Sequence, residues 1–191
     1  MSLITKSYGT PDLTQFNDQY KHKYFCEVVQ GEVSNDVRQE NSVAVKANTW
    51  LPTGSIAYIG DDNFAAAGLG TSSATKVTVP QIVHVGTEHG NVFSEKYNTG
   101  CGLISMIPLT ANNNIMTTVY DAAGTYTKGT LLTAKEFTFD GHTVVGVTPA
   151  ADGDTVIGIV QTAPELSHYG VKGLIFSAYF RPGADESSSS L

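Results

Sequence analysis

The stretch FTFDGHTVVGV, Phe137 to Val147, sets an acid, a glycine and a histidine into a run that is otherwise apolar or β-branched. An Asp-Gly pair between strand-forming residues signals a two-residue hairpin, because a type I′ turn needs positive φ at both central positions. With Asp140 and Gly141 at the turn, Phe139 faces His142, Thr138 faces Thr143 and Phe137 faces Val144. Phe137, Phe139 and Val144 then share one apolar face. Asp140 serves turn geometry on this reading, and His142 sits beside the tip where nothing requires its burial. A catalytic Asp-His pair is the competing reading, and turn chemistry accounts for the same residues without it.

Outward from the hairpin, strand-like segments bounded by Gly, Pro, Asn and Asp recur, and helical periodicity is hard to find, so the class is mostly β. YFCEVVQGEV, NSVAVKANTWLP and SIAYIGDD read as three short strands closed by Gly31, Pro52 and the Asp61-Asp62-Asn63 turn. AAAGLGTSSATK, Ala65 to Lys76, interrupts the pattern and is expected to be a long exposed loop between sub-blocks 21–64 and 77–182. VTVPQIVHVG and CGLISMIPL resume the strands, and Asn112-Asn113-Asn114 marks a turn. Downstream come an apolar strand from Val156 to Val160 and VKGLIFSAYF, in which Leu174, Phe176, Ala178 and Phe180 share one face. Residues 1–20 are polar with scattered Leu3, Ile4, Leu13 and Phe16, and read as an extended arm; residues 183–191 read as a disordered tail. A single β domain, 21–182, with room for a second small lobe, is the expected organisation.

The chain has 191 residues with 41% hydrophobic content, and 11 Lys plus Arg against 18 Asp plus Glu leave a formal charge of −7. That balance argues against a surface that tracks nucleic-acid phosphates. No run approaches the length of a membrane span, and no apolar leader opens the chain, so a soluble protein made in a cytoplasm is expected. Cys26 and Cys101 lack metal-site spacing and read as buried thiols.

Candidate chemistry is sparse. His84, Glu88 and His89 in HVGTEHG could serve metal or acid/base work, but lack the one-turn helical spacing of a zincin, and a surface turn explains them. Asp152-Gly153-Asp154 has only part of a calcium loop. The Gly68-x-Gly70 pair has no third glycine and no Lys-Ser/Thr, so it is no phosphate cradle. Cys101 between two glycines and a sugar site at Trp50 or His168-Tyr169 are weighed against packing roles, which are commoner. No catalytic residue, metal site or cofactor is expected, and the chain does not read as an enzyme.

The segment Tyr126 to Ala163 resembles the decoration, or cement, proteins of tailed-phage capsids, above all the lambda head decoration protein family. The likeness rests on the KGTLLTA entry into a short strand, a Gly-containing turn, and DGDTVIGIV, an apolar Gly-bearing strand reached through Asp-Gly. It implies a compact β-sandwich or barrel-like (β-tulip-like) fold. It also implies a homotrimer on the outer capsid surface, with an N-terminal arm that pairs with the major capsid protein. Leu3, Ile4, Leu13 and Phe16 would anchor that arm. Such a protein stabilises a virion through buried area and edge-strand pairing. Tyr24 to Pro108 has no counterpart in the small members of that family. A tail- or fibre-associated virion component and a carbohydrate-binding module are the alternatives.

Overall fold

The computed structural model describes residues 24–31, 41–46, 49–71, 76–87, 102–109, 113–166 and 172–181. Every element among them is a strand: β1 Cys26–Gly31, β2 Asn41–Val45, β3 Ile56–Ile59, β4 Phe64–Ala67, β5 Gln81–Val85 and β6 Gly102–Pro108. Then follow β7 Asn113–Thr117, β8 Leu131–Phe139, β9 His142–Pro149, β10 Val156–Leu166 and β11 Lys172–Arg181. The mostly β class is as the strand signals imply. The hairpin has the expected register, with Phe139 opposite His142, Thr138 opposite Thr143 and Phe137 opposite Val144. Its turn is carried by Asp140 at φ 50° and Gly141 at φ 79°, the two positive values that a type I′ connection requires.

Two sheets organise the strands. One runs β1-β7-β11-β10-β8-β9, and the other closes into a barrel, β2-β4-β3-β5-β6. The barrel closes through one parallel contact, Ala44 to Phe64 and Val45 to Ala65, while its remaining pairs are antiparallel. Closure leaves the barrel without an edge strand. The six-stranded sheet curls as well. Tyr120, just past β7, bridges to Val147 in parallel, and Val147 N–H donates to Val119 O at 3.1 Å while Asp121 N–H donates to Val147 O at 2.9 Å. Gly146 permits this approach, since a Cβ there would lie 2.7 Å from Val119 O.

Alternation along β3 and β5 joins the two sheets. Ile56 and Ile82, cross-strand partners, belong to the core of the six-stranded sheet, with Ile115, Leu132, Val160, Leu174 and Phe176. Their neighbours Ala57 and Val83 point the other way and fill the barrel with Val43, Val45, Leu51, Ala65, Ile104 and Met106. One barrel wall therefore serves two cores, so consecutive residues are buried on both faces. At the seam, Thr117 Oγ1 donates to Gly54 O at 3.2 Å, and Phe25 N–H donates to Thr118 Oγ1 at 2.9 Å. These bonds satisfy buried polar groups that would otherwise oppose packing there.

Two expectations fail. Ala65 to Ala67 are not loop: they form most of β4, and Ala65 is 2% exposed inside the barrel. Three alanines have weak strand propensity, but the barrel interior accepts the small side chain of Ala65 and both neighbouring strands pair with β4, so tertiary packing overrides local preference. Asn113 and Asn114, read as part of a turn, instead open β7 and pair with β1 opposite Gly31 and Gln30. β2 to β6 form the barrel, and β1 joins β7 to β11 in the sheet.

Candidate functional site

Three surface features are candidates for function. The first is the far end of the β10–β11 ribbon. β8 accompanies β10 only through Ile159 opposite Leu131 and Gly158 opposite Leu132, extended by Val160 N–H donating to Thr130 O at 2.9 Å. Beyond Val160, β10 continues to Leu166 with β11 as its only strand neighbour among the described residues. Gln161–Leu166 is thus an open edge, whose outward main-chain groups can receive another strand. Leu166 at its end is 73% exposed. Pro164 and the register breaks between Val160 and Glu165 interrupt the edge, which restrains indiscriminate pairing. The outer strands of the six-stranded sheet, β1 and β9, are each approached by a barrel strand, β1 by β5 and β9 by β3.

The second feature is an aromatic clasp where the connector after β2 meets the hairpin tip. Trp50 is edge-on to Tyr24, with ring centroids 6.0 Å apart, and lies 5.5 Å from the His142 imidazole. Tyr24 in turn packs on Phe139 at 5.4 Å, within a cluster completed by Val119, Val144 and Phe137. His142 is exposed beside the tip, where it rests on the tryptophan. Trp50 is thereby a packing anchor between the barrel connector and the sheet, the commoner of its two expected roles.

The third is a groove of about 440 Å³ on the barrel's outer wall beside β4. Tyr58, Phe64, the alanines of β4, Thr71 and Thr78 line it, with Lys46 paired to Asp62 and Lys76 paired to Asp61 at its rim. Lys46 Nζ also stands 5.7 Å over the Phe64 ring, a cation–π contact. The Lys46 ammonium and the Phe64 N–H, which donates to Asp62 Oδ1 at 3.1 Å, hold the Asp62 carboxyl below its ordinary value.

Other residues singled out by sequence fall into turns and packing. Asp154 accepts the Ala151 N–H at 2.8 Å and pairs with Lys135 at 2.9 Å, while Gly153 takes φ 86°; this is turn chemistry, not a calcium loop. His84 is half-buried on β5, and its proposed companions Glu88 and His89 lie outside the described residues. So do Cys101, His168, Tyr169, the arm with Leu3, Ile4, Leu13 and Phe16, and the tail. Cys26 is a buried core residue. Among the described residues no three His, Cys, Asp or Glu side chains gather as metal ligands, and no helix is long and apolar enough to cross a membrane. Tyr126, buried among apolar neighbours, has its hydroxyl pushed well above the usual tyrosine range by desolvation. It donates to Asp121 O at 2.8 Å, which fits a structural bond. Sequence reasoning missed the groove, because its lining is drawn from the connector after β2, from β3 and β4 with the turn between them, and from the connector after β4.

Compared with family models, with curated proteins and with solved structures, the chain matches none.

Proposed function

We propose that this chain is a virion structural protein that decorates a bacteriophage capsid, binding the major capsid protein as a homotrimer on the outer surface of the shell. The observation that carries the reading is the β10 edge at Gln161–Leu166, a segment that has β11 as its only strand neighbour among the described residues and ends on an exposed leucine. Decoration requires adhesion without chemistry, and strand addition supplies it: main-chain bonds give affinity and alternate side chains give register. The β8, β9 and β10 strands lie within or extend from the Tyr126 to Ala163 segment that resembles the decoration family. A stable partner interface needs roughly 1,200–2,000 Å² of total buried surface, more than a six-residue edge supplies. The arm carrying Leu3, Ile4, Leu13 and Phe16 is the proposed source of the remainder.

The test is direct. Purified protein is mixed with expanded, empty capsids and examined by sedimentation and image reconstruction. Occupancy at fixed lattice positions supports the reading, and loss of that occupancy on deleting residues 1–20 supports the arm. Retained binding by the truncated, folded protein rejects the arm, and no binding by the full chain rejects decoration.

A further inference from the structure

The groove beside β4 is lined by residues other than those of the β10 edge. Its size lies within the range of about 300–1,000 Å³ typical of small-molecule sites. Its rim contains two ammonium groups and two carboxylates, and each Lys is paired with an Asp. The lining is therefore close to electroneutral and selects neither for anions nor for cations. Each pair sets donors beside acceptors, the pattern that adjacent hydroxyls match, since a hydroxyl both donates and accepts. Ala66, paired with Tyr58 across the strands, adds only a methyl group to the groove wall.

The Gly68-x-Gly70 pair acquires a purpose here. A Cβ at Gly70 would lie 3.0 Å from Tyr58 Cδ2 and 2.6 Å from Thr78 Cγ2, and one at Gly68 would lie 3.9 Å from Tyr58 Cε1. Glycine at position 70 lets the loop backbone approach the Tyr58 ring, which lines the groove beside Thr78. That ring gives the groove an apolar plane with a polar tip.

We propose that the groove binds a neutral oligosaccharide, which stacks a sugar face on Tyr58 and presents its hydroxyls to the Lys46–Asp62 and Lys76–Asp61 pairs. An extended peptide is the competing occupant, and the strand geometry disfavours it. Gly60 N–H donates to Phe64 O and Gly68 N–H donates to Ile56 O, so the hydrogen-bonded pairs of the β3–β4 hairpin alternate through Tyr58 and Ala66. Ala65 and Ala67 therefore turn their main-chain groups away from β3, and Ala65 already adjoins Val45 of β2. Only Ala67 remains to offer a main-chain donor and acceptor, too short a run for strand addition. This site is independent of the capsid reading, and either can fail alone.

The experiment is saturation-transfer NMR on the full chain with maltotriose, cellotriose and chitotriose, followed by titration of any binder. At least one trisaccharide binds at millimolar concentration, with transfer from the Tyr58 ring. Tyr58→Ala lowers its affinity by about tenfold or more, Tyr58→Phe keeps most of it, and Asp62→Asn weakens it several-fold. Circular dichroism establishes that each variant is folded. The proposal is overturned if none of the three sugars binds, if binding survives Tyr58→Ala in the folded protein, or if an Ala/Thr-rich extended peptide binds where the sugars do not.

Discussion

Gly158 sits in the apolar strand VIGIV with no room beside it. A Cβ built there would stand 2.4 Å from Phe176 Cδ2, 3.0 Å from Phe176 Cε2 and 2.9 Å from Ser177 O. Phe176 is fully buried in the core shared by the sheet and one barrel wall, so its ring has no vacant volume to enter. Gly158→Ala must displace that ring or push β10 from β11, and overpacking of this kind costs about 1–3 kcal/mol. The backbone carbonyl of Ser177 is a second obstacle, which places the cost at the upper end, about 2–3 kcal/mol. For a domain of this size that lowers Tm by roughly 5–10 °C. Phe176→Leu alone costs about 1–2 kcal/mol through partial loss of core volume. The two changes couple: the smaller side chain relieves part of the clash, so the double variant is more stable than additivity predicts by about 1 kcal/mol. Urea unfolding followed by far-ultraviolet circular dichroism gives all three values. A Gly158→Ala variant within about 0.5 kcal/mol of the parent, or strict additivity of the pair, would refute the packing argument.

Further outcomes follow from the same geometry. Trp50→Ala removes the contacts to Tyr24 and His142 and lowers stability by about 1–2 kcal/mol, less than a fully buried tryptophan because Trp50 is 37% exposed; an unchanged denaturation midpoint would exclude the clasp. Gly141→Val places a β-branched residue at φ 79° and destabilises by about 1–2 kcal/mol, whereas Asp140→Asn at the neighbouring turn position changes little. The Asp154 carboxyl is held below its ordinary value by the Ala151 N–H and then by Lys135. Its contribution is therefore present above the unfolded value near 3.8 and fades as pH falls through the lower folded value. Asp154→Asn should accordingly be less stable than the parent at neutral pH, with the gap closing in acid; a gap independent of pH contradicts this. Leu166→Asp, at a 73% exposed position, leaves Tm unchanged and weakens capsid binding, as parallel thermal melts and sedimentation would reveal.

What was legible in the sequence was the local chemistry. Asp140-Gly141 fixed a turn type, and the turn fixed the register of eight residue pairs between β8 and β9. The alternation of Leu174, Phe176 and Ala178 likewise marked the buried face of β11. The barrel was not legible, for two physical reasons. Its strands are short, four residues in β3 and in β4, and its closure depends on a parallel contact between β2 and β4 across an intervening strand. In addition, β4 owes its conformation to the space inside the barrel that Ala65 fills and to pairing with β2 and β3, which no local preference encodes. At the candidate site, the Gly68-x-Gly70 pair was visible as a motif without a role. Its relation to Tyr58 appears only once the β3–β4 hairpin folds back on itself. The open β10 edge was equally hidden, since the apolar signal stops near Val160 while the strand runs on through Gln161, Thr162 and Ala163 to Leu166.

Adhesion to a capsid shell is measured most directly by adding the full chain to expanded, empty phage heads and counting the copies that sediment with them. Saturation at a fixed number per shell, in symmetric density over the major capsid protein, is the predicted result. Failure to sediment with the shells at any protein excess, with the chain folded and soluble, would contradict it.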